Sequence, residues 1–166
     1  MTLRLPHWMV WRLAAFAAKV KHAREPDVII GGVETPYLLR WFIIPRNPVF
    51  NIYLHEFRRS DDDRALHDHP WINCSIVVDG EYAEHCIRAG GINTRTRRRM
   101  GDVVMRGPRA AHRVERIAGG VPPTTIFLTG PRVRRWGFHC PGGWVHWKKF
   151  TSPDGREVGA GCGEVE

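Results

Sequence analysis

His67-Asp68-His69-Pro70-Trp71 is the stretch whose reading decides the fold. Side chains on an extended segment alternate faces, so His67 and His69 share one side. Two imidazoles then stand on one wall of any pocket, and neutral imidazole is the commonest protein metal ligand. Further along, Gly101-Asp102-Val103-Val104-Met105-Arg106-Gly107-Pro108-Arg109-Ala110-Ala111-His112 offers a third. A lone His-x-His would read as surface or core histidines. With the second stretch beside it, the expectation is a three-histidine metal site, His67, His69 and His112, inside a β-barrel.

The flanking sequence supports a barrel. Tyr37 to Ile44 reads as a strand stopped by Pro45-Arg46-Asn47-Pro48. Val49 to Phe57 follows, with Asn51, Tyr53, His55 and Phe57 on one face and Ile52, Leu54 and Glu56 on the other. Trp71 to Val78 is the next strand, Asp79-Gly80 is a turn from which Glu81 to Arg88 returns, and Gly90-Gly91 turns again. Thr94 to Arg99, Val103 to Met105, Arg113 to Ile117, Thr124 to Thr129, Arg135 to Cys140 and Trp144 to Phe150 complete the set. Roughly nine or ten short, turn-punctuated strands argue for an all-β antiparallel barrel or double-sheet jelly roll. Residues 8–24 read instead as an amphipathic helix, with Met9, Leu13, Phe16 and Val20 on its apolar face. Its expected place is the outside of the barrel, with a membrane surface or a partner as the alternative contact for Trp8 and Trp11. The division expected is helix and linker over 1–36, barrel over 37–152 and a flexible tail over 153–166.

A chain of 166 residues suits one domain with a usable core. The net charge of +8 favours anionic partners without choosing among them. Arg95, Arg97 and Arg99 share one face of a very basic strand, which reads as a charged edge or as a contact for nucleic acid. The polar run Arg58 to Arg64 reads as a loop. Cys74, Cys86, Cys140 and Cys162 form no CxxC and no dense framework, so reduced thiols in a cytoplasmic protein are expected. His85-Cys86 and His139-Cys140 do not read as zinc half-sites, because neighbours in a strand face opposite ways. Near the N-terminus, Arg12 interrupts the apolar run and Lys19 and Lys21 close it, so neither a signal peptide nor a membrane span is expected. There is no nucleophile elbow, GxGxxG or Walker loop.

Together the two histidine stretches resemble the paired motifs of the cupin superfamily over residues 40 to 150. His67, His69 and Gly80 match its first motif, and Gly101, Pro108 and His112 its second. Residues 51–55, 60–70 and 130–139 also look like a group of uncharacterised bacterial and phage cupin-like proteins. Two departures stand out. Asp61 occupies the place of the opening glycine, and Asn73 or Cys74 that of the family glutamate. Strand parity puts Asn73 on the pocket face and turns Cys74 away unless a bulge intervenes. A cysteine five residues after the second histidine is similar to the thiol dioxygenase branch, which holds Fe(II) with three histidines and no carboxylate.

That resemblance implies a cupin-type jelly roll holding one divalent ion, Fe(II) favoured, with Mn, Ni or Zn suited to the same ligands. It also implies a dioxygenase-type oxidoreductase acting on a small anionic or thiol substrate. Asn73 or Cys74 would tune the pocket, Tyr53, Tyr82, Trp136 and His139 would contact substrate, and Arg109 or Arg40 would clamp an anion. Alternatives are a metal-dependent sugar isomerase or epimerase, and a non-catalytic ligand- or nucleic-acid-binding module. A homodimer is expected by analogy with other cupins.

Overall fold

Along residues 51–57 the pleat sorts side chains into two environments. Tyr53, His55 and Phe57 form a contiguous aromatic row, while Leu54 is fully buried on the other face against Ala17, Trp41, Val78 and Ile126. The computed structural model describes residues 3–61, 65–155 and 157–163, so positions 62–64 of the expected loop lie outside the described residues.

In chain order the elements are β1 (Leu3–Arg4), α1 (His7–Ala23), β2 (Val28–Ile30), β3 (Leu38–Phe42), β4 (Asn51–Phe57), β5 (Leu66–His67), β6 (Asn73–Asp79) and β7 (Glu81–Ile87). There follow β8 (Asn93–Arg99), β9 (Asp102–Arg106), β10 (His112–Arg116), β11 (Thr124–Thr129), β12 (Gly137–Cys140), β13 (Gly143–His146) and α2 (Trp147–Phe150). They build two antiparallel sheets, ordered β1-β9-β6-β11-β4-β3-β2 and β13-β12-β5-β10-β7-β8. This is the expected all-β jelly roll with an N-terminal helix.

Several boundaries differ from expectation. Asp79-Gly80 does not close a hairpin: β6 and β7 belong to different sheets, so the chain turns a corner there. Gly80 has φ +64°, and a Cβ on it would meet the Val121 carbonyl oxygen at 3.0 Å, so only glycine fits. The expected linker contains β2, which pairs with β3 through Ile29 and Leu39. The expected strand from Trp144 to Phe150 stops at His146, whose Nδ1 accepts a hydrogen bond from the Lys148 N–H at 3.3 Å and starts α2. In α1 the buried face is Val10, Leu13, Ala17 and Val20 rather than the one through Met9 and Phe16, and Phe16 is exposed. The helix packs on the outer face of the seven-stranded sheet, and among the described residues no helix is long and apolar enough to cross a membrane.

Two further expectations are corrected. Cys140 and Cys162 form a disulfide, leaving only Cys74 and Cys86 as free thiols. The segment expected to be loose is tied back through that bond, through a Thr151–Val158 bridge and through the Gly159 and Gly161 N–H groups on the Phe150 carbonyl. Positions 156 and 164–166 of the tail lie outside the described residues.

β8 is an edge strand whose outward arginines are paired. Arg95 donates to Glu115 at 2.8 and 3.0 Å, and Arg97 donates to Glu81 at 2.8 Å. Hydrogen bonds from Arg95 and His85 hold the Glu115 carboxyl down to about 2.

Leu54→Ala empties a fully buried site and should destabilise the protein by about 2–5 kcal/mol, measured by urea unfolding. Glu115 should titrate near 2 by carboxyl NMR and return toward about 4.3 in Arg95→Ala. Because the folded value is depressed, its stabilising effect is present above the unfolded value and disappears as pH falls through the folded one. The pair is largely exposed, so that effect should be small.

Candidate metal centre

β5 and β10 pair so that His67 and His112 are direct cross-strand neighbours, which sets both rings on the inner face. His69 lies just beyond β5. Asp68 is buried between the two histidines and turns the other way. It accepts from the Gly137 N–H at 2.9 Å, the Trp144 indole at 3.1 Å and Arg134 at 2.9 Å. Those bonds fix the backbone that carries His67 and His69.

One ligand atom from each of His67, His69 and His112 lies within 4.8 Å of the others. The Nε2 atoms of His69 and His112 are 2.9 Å apart. That spacing suits two donors about 2.0–2.1 Å from one ion. Burial lowers all three pKa values, His112 to about 3 with help from the Arg106 charge, so each ring is neutral at pH 7 and offers a lone pair. His112 Nδ1 lies 3.1 Å from Glu84 Oε1. An ionised carboxylate only accepts, so Nδ1 carries the proton and Nε2 is free to ligate. The donor set therefore fits a divalent cation.

Glu84 was not anticipated. It is completely buried on β7 and receives Arg106 Nε at 2.6 Å and Arg98 Nε at 2.7 Å. Burial pushes its carboxyl up, but the His112 hydrogen bond and the Arg106, His112 and Arg98 charges outweigh that and hold it well below the ordinary range. Parity with Tyr82, two residues away on the same strand, was the signal that could have found it.

The three histidines line a cavity of about 310 Å³ that also contains Arg40, His55, Tyr82, Arg106, Phe127 and Trp136. Arg40 donates to His55 Nε2 at 2.9 Å and lies over the Tyr53 ring, without a carboxylate partner among the described residues. Burial lowers the Arg40 pKa and, with the Arg40 charge, pushes His55 well down.

Of the residues expected to contact substrate, Tyr82 and Trp136 line this cavity. Tyr53 does not line it and stacks behind His55. His139 does not line it either and faces Asp68 at 3.3 Å. Arg109 is exposed away from the cavity, because Arg106 and Arg40 occupy the inward positions. Asn73 is buried with its Oδ1 on Arg106 at 3.3 Å, behind the cavity wall. The β6–β9 register runs without a shift from Asn73 to Ile76. Cys74 therefore keeps the parity of Ile76, which packs toward α1 on the outer face, and the cysteine does not reach the cavity.

No family model and no curated protein matches the chain. Solved structures do. A Klebsiella pneumoniae conserved protein with a double-stranded β-helix domain superposes with TM-score 0.50 at 14% identity, over 66% of this chain and 90% of that one. Bacillus subtilis oxalate decarboxylase, described with Mn(II) centres, superposes with TM-score 0.50 at 16% identity, over 70% of this chain and 30% of that one. The chain has the cupin fold. At these identities the likeness speaks for the fold and not for the reaction.

In this cupin fold the Glu84 cluster bridges the sheets, since Arg106 comes from β9 and its partner from β7. Glu84→Gln leaves the buried Arg106 and the half-buried Arg98 guanidinium groups without their anion and should cost about 3–5 kcal/mol of stability. Chemical denaturation measures it, and a loss no larger than that of an exposed substitution would contradict the cluster's role.

Proposed function

We propose that the protein is a metal-dependent cupin enzyme, a dioxygenase-type oxidoreductase that uses His67, His69 and His112 to hold one divalent ion and acts on a small anionic substrate. One observation carries the reading: three neutral imidazoles converge on a partly open cavity that also presents the Arg40 guanidinium, which has no carboxylate partner among the described residues. When bound, the ion would supply Lewis acidity and, as the favoured Fe(II), redox access to O2; Mn, Ni or Zn suit the same donors.

The chain's own groups then divide the remaining work. The three histidines add no negative charge, so an anionic group on the substrate is not repelled by its ligand set. Glu84 orients His112 and, being engaged by Arg98 and Arg106, is not itself a ligand. Arg40, steadied by His55 and Tyr53, can hold a carboxylate or phosphate with its remaining N–H groups. Phe127, Phe138, Trp71 and Trp136 give the space between an apolar lining. A volume of about 310 Å³ admits a small molecule only.

Protein purified without added metal should contain near-stoichiometric metal, and His112→Ala should contain far less. Equal, sub-stoichiometric metal in both would sink the site. The Fe(II)-loaded protein should consume O2 with members of a panel of small acids and thiols. Arg40→Ala should raise KM for an anionic substrate about 10- to 100-fold. Absence of O2 uptake across the panel would leave the metal site standing and remove the oxygenase reading.

A further inference from the structure

The two edges of the six-stranded sheet differ in what their cations do. On β8 the arginines are closed into pairs with Glu81, Glu84 and Glu115. At the other edge, an open cleft is lined by Arg132, Arg135, Trp144, His146, Trp147, Lys148 and Lys149. It is built by the segment before β12, by β13 and by α2, well apart in sequence from the three histidines.

All four cations of this cleft are exposed, and none has a carboxylate within ion-pair reach among the described residues. Arg134, between two of them, is already held by Asp68. The local field is strong enough to be felt by His146, whose pKa is lowered by partial burial and then by Arg135, Lys148, Arg132 and Lys149. Between the cations stand two indoles. Trp144 is 41% exposed and anchored through its Nε1–H to Asp68. Trp147 stacks on Trp136 at 5.6 Å, so its plane is fixed. Exposed charge on an edge strand also deters aggregation, but here the cations alternate with indole rings. Cations without a carboxylate partner among the described residues, Lys148 lying over the Trp147 ring at 5.7 Å, interleaved with partly open rings match a chain of phosphates with unpaired bases.

We infer that this cleft binds single-stranded nucleic acid, with Arg132, Arg135, Lys148 and Lys149 on the phosphates and Trp144 against a base. Vesicle competition separates a lipid surface from a strand. The stacking partner requires bases that are not already paired, which favours a single strand over a duplex. This inference is independent of the metal site.

The test is fluorescence anisotropy with a labelled twelve-nucleotide oligothymidylate between 50 and 200 mM salt. Four phosphate contacts predict a slope of log K against log salt of about −3. Arg135→Ala combined with Lys148→Ala should weaken binding about tenfold and flatten the slope by about 1.4. Arg12→Ala combined with Lys19→Ala, on the exposed face of α1, removes the same charge elsewhere and should change neither. Equal losses in the two double variants would mean diffuse attraction to a basic protein and would overturn the inference. So would equal affinity for a duplex of the same length, or full competition by vesicles containing anionic phospholipid. Absence of binding at 50 mM salt would overturn it outright.

Discussion

Glu84 is the constraint on which the interior depends. A carboxylate with no solvent exposure must be matched, and here two guanidinium groups and one imidazole converge on it. Arg106 reaches it from the seven-stranded sheet, Arg98 and His112 from the six-stranded one. The same contact therefore fixes the spacing of the sheets, the rotation of the His112 ring and the position of its proton. Apolar packing alone would set the first of these but not the other two.

Charge inside the barrel is arranged by the same burial. The three histidines are kept neutral, Arg106 is neutralised by Glu84, and Arg40 remains as a cation resting on an aromatic ring and a neutral histidine. A half-buried cation so lightly matched is better accommodated when something anionic joins it. The apolar wall formed by Phe127, Phe138 and Trp136 strengthens that demand, because it lowers the local dielectric. Donor set and cation thus ask for the same kind of ligand from two directions.

How much of this was readable in the residues depends on the range of the signal. Parity brought His67 and His69 to one wall, and two motifs far apart in the chain brought His112 into the argument; the jelly roll followed from turn-separated strands. Those are local or motif-level signals. Which strand neighbours which is not local. The Asp79-Gly80 corner has the residues of a hairpin turn, and only the pairing of β6 with β11 and β7 with β10 shows that the chain changes sheets there. Of the two arginines offered as anion clamps, Arg40 lines the cavity, whereas Arg109 lies past the end of β9 and is exposed; Arg106, on β9 itself, faces inward. Cys74 shows the reverse. Its own parity pointed it outward, and likeness to another branch of the fold was a weaker guide than the pleat. In α1 the spacing pointed to a face through Met9, Leu13, Phe16 and Val20; the packed face keeps Leu13 and Val20 but takes Val10 and Ala17, because close approach to the sheet selects the smaller side chains.

The C-terminal segment carries the same lesson into the site itself. Glycine-rich composition suggests mobility, but glycine is also the residue that lets backbone lie close against a ring. A Cβ on Gly155, which has φ +72°, would stand 2.9 Å from the Trp147 ring. Trp147 stacks in turn on Trp136, and Phe150 stacks on Phe138 at 3.6 Å, both on the cavity wall. The Cys140–Cys162 bond closes the strap on β12, and Gly155, Glu157 and Val158 complete the cavity lining. The cavity's shape therefore depends on a segment that supplies none of the three histidines, and ligand donors and enclosure are separable properties of this fold.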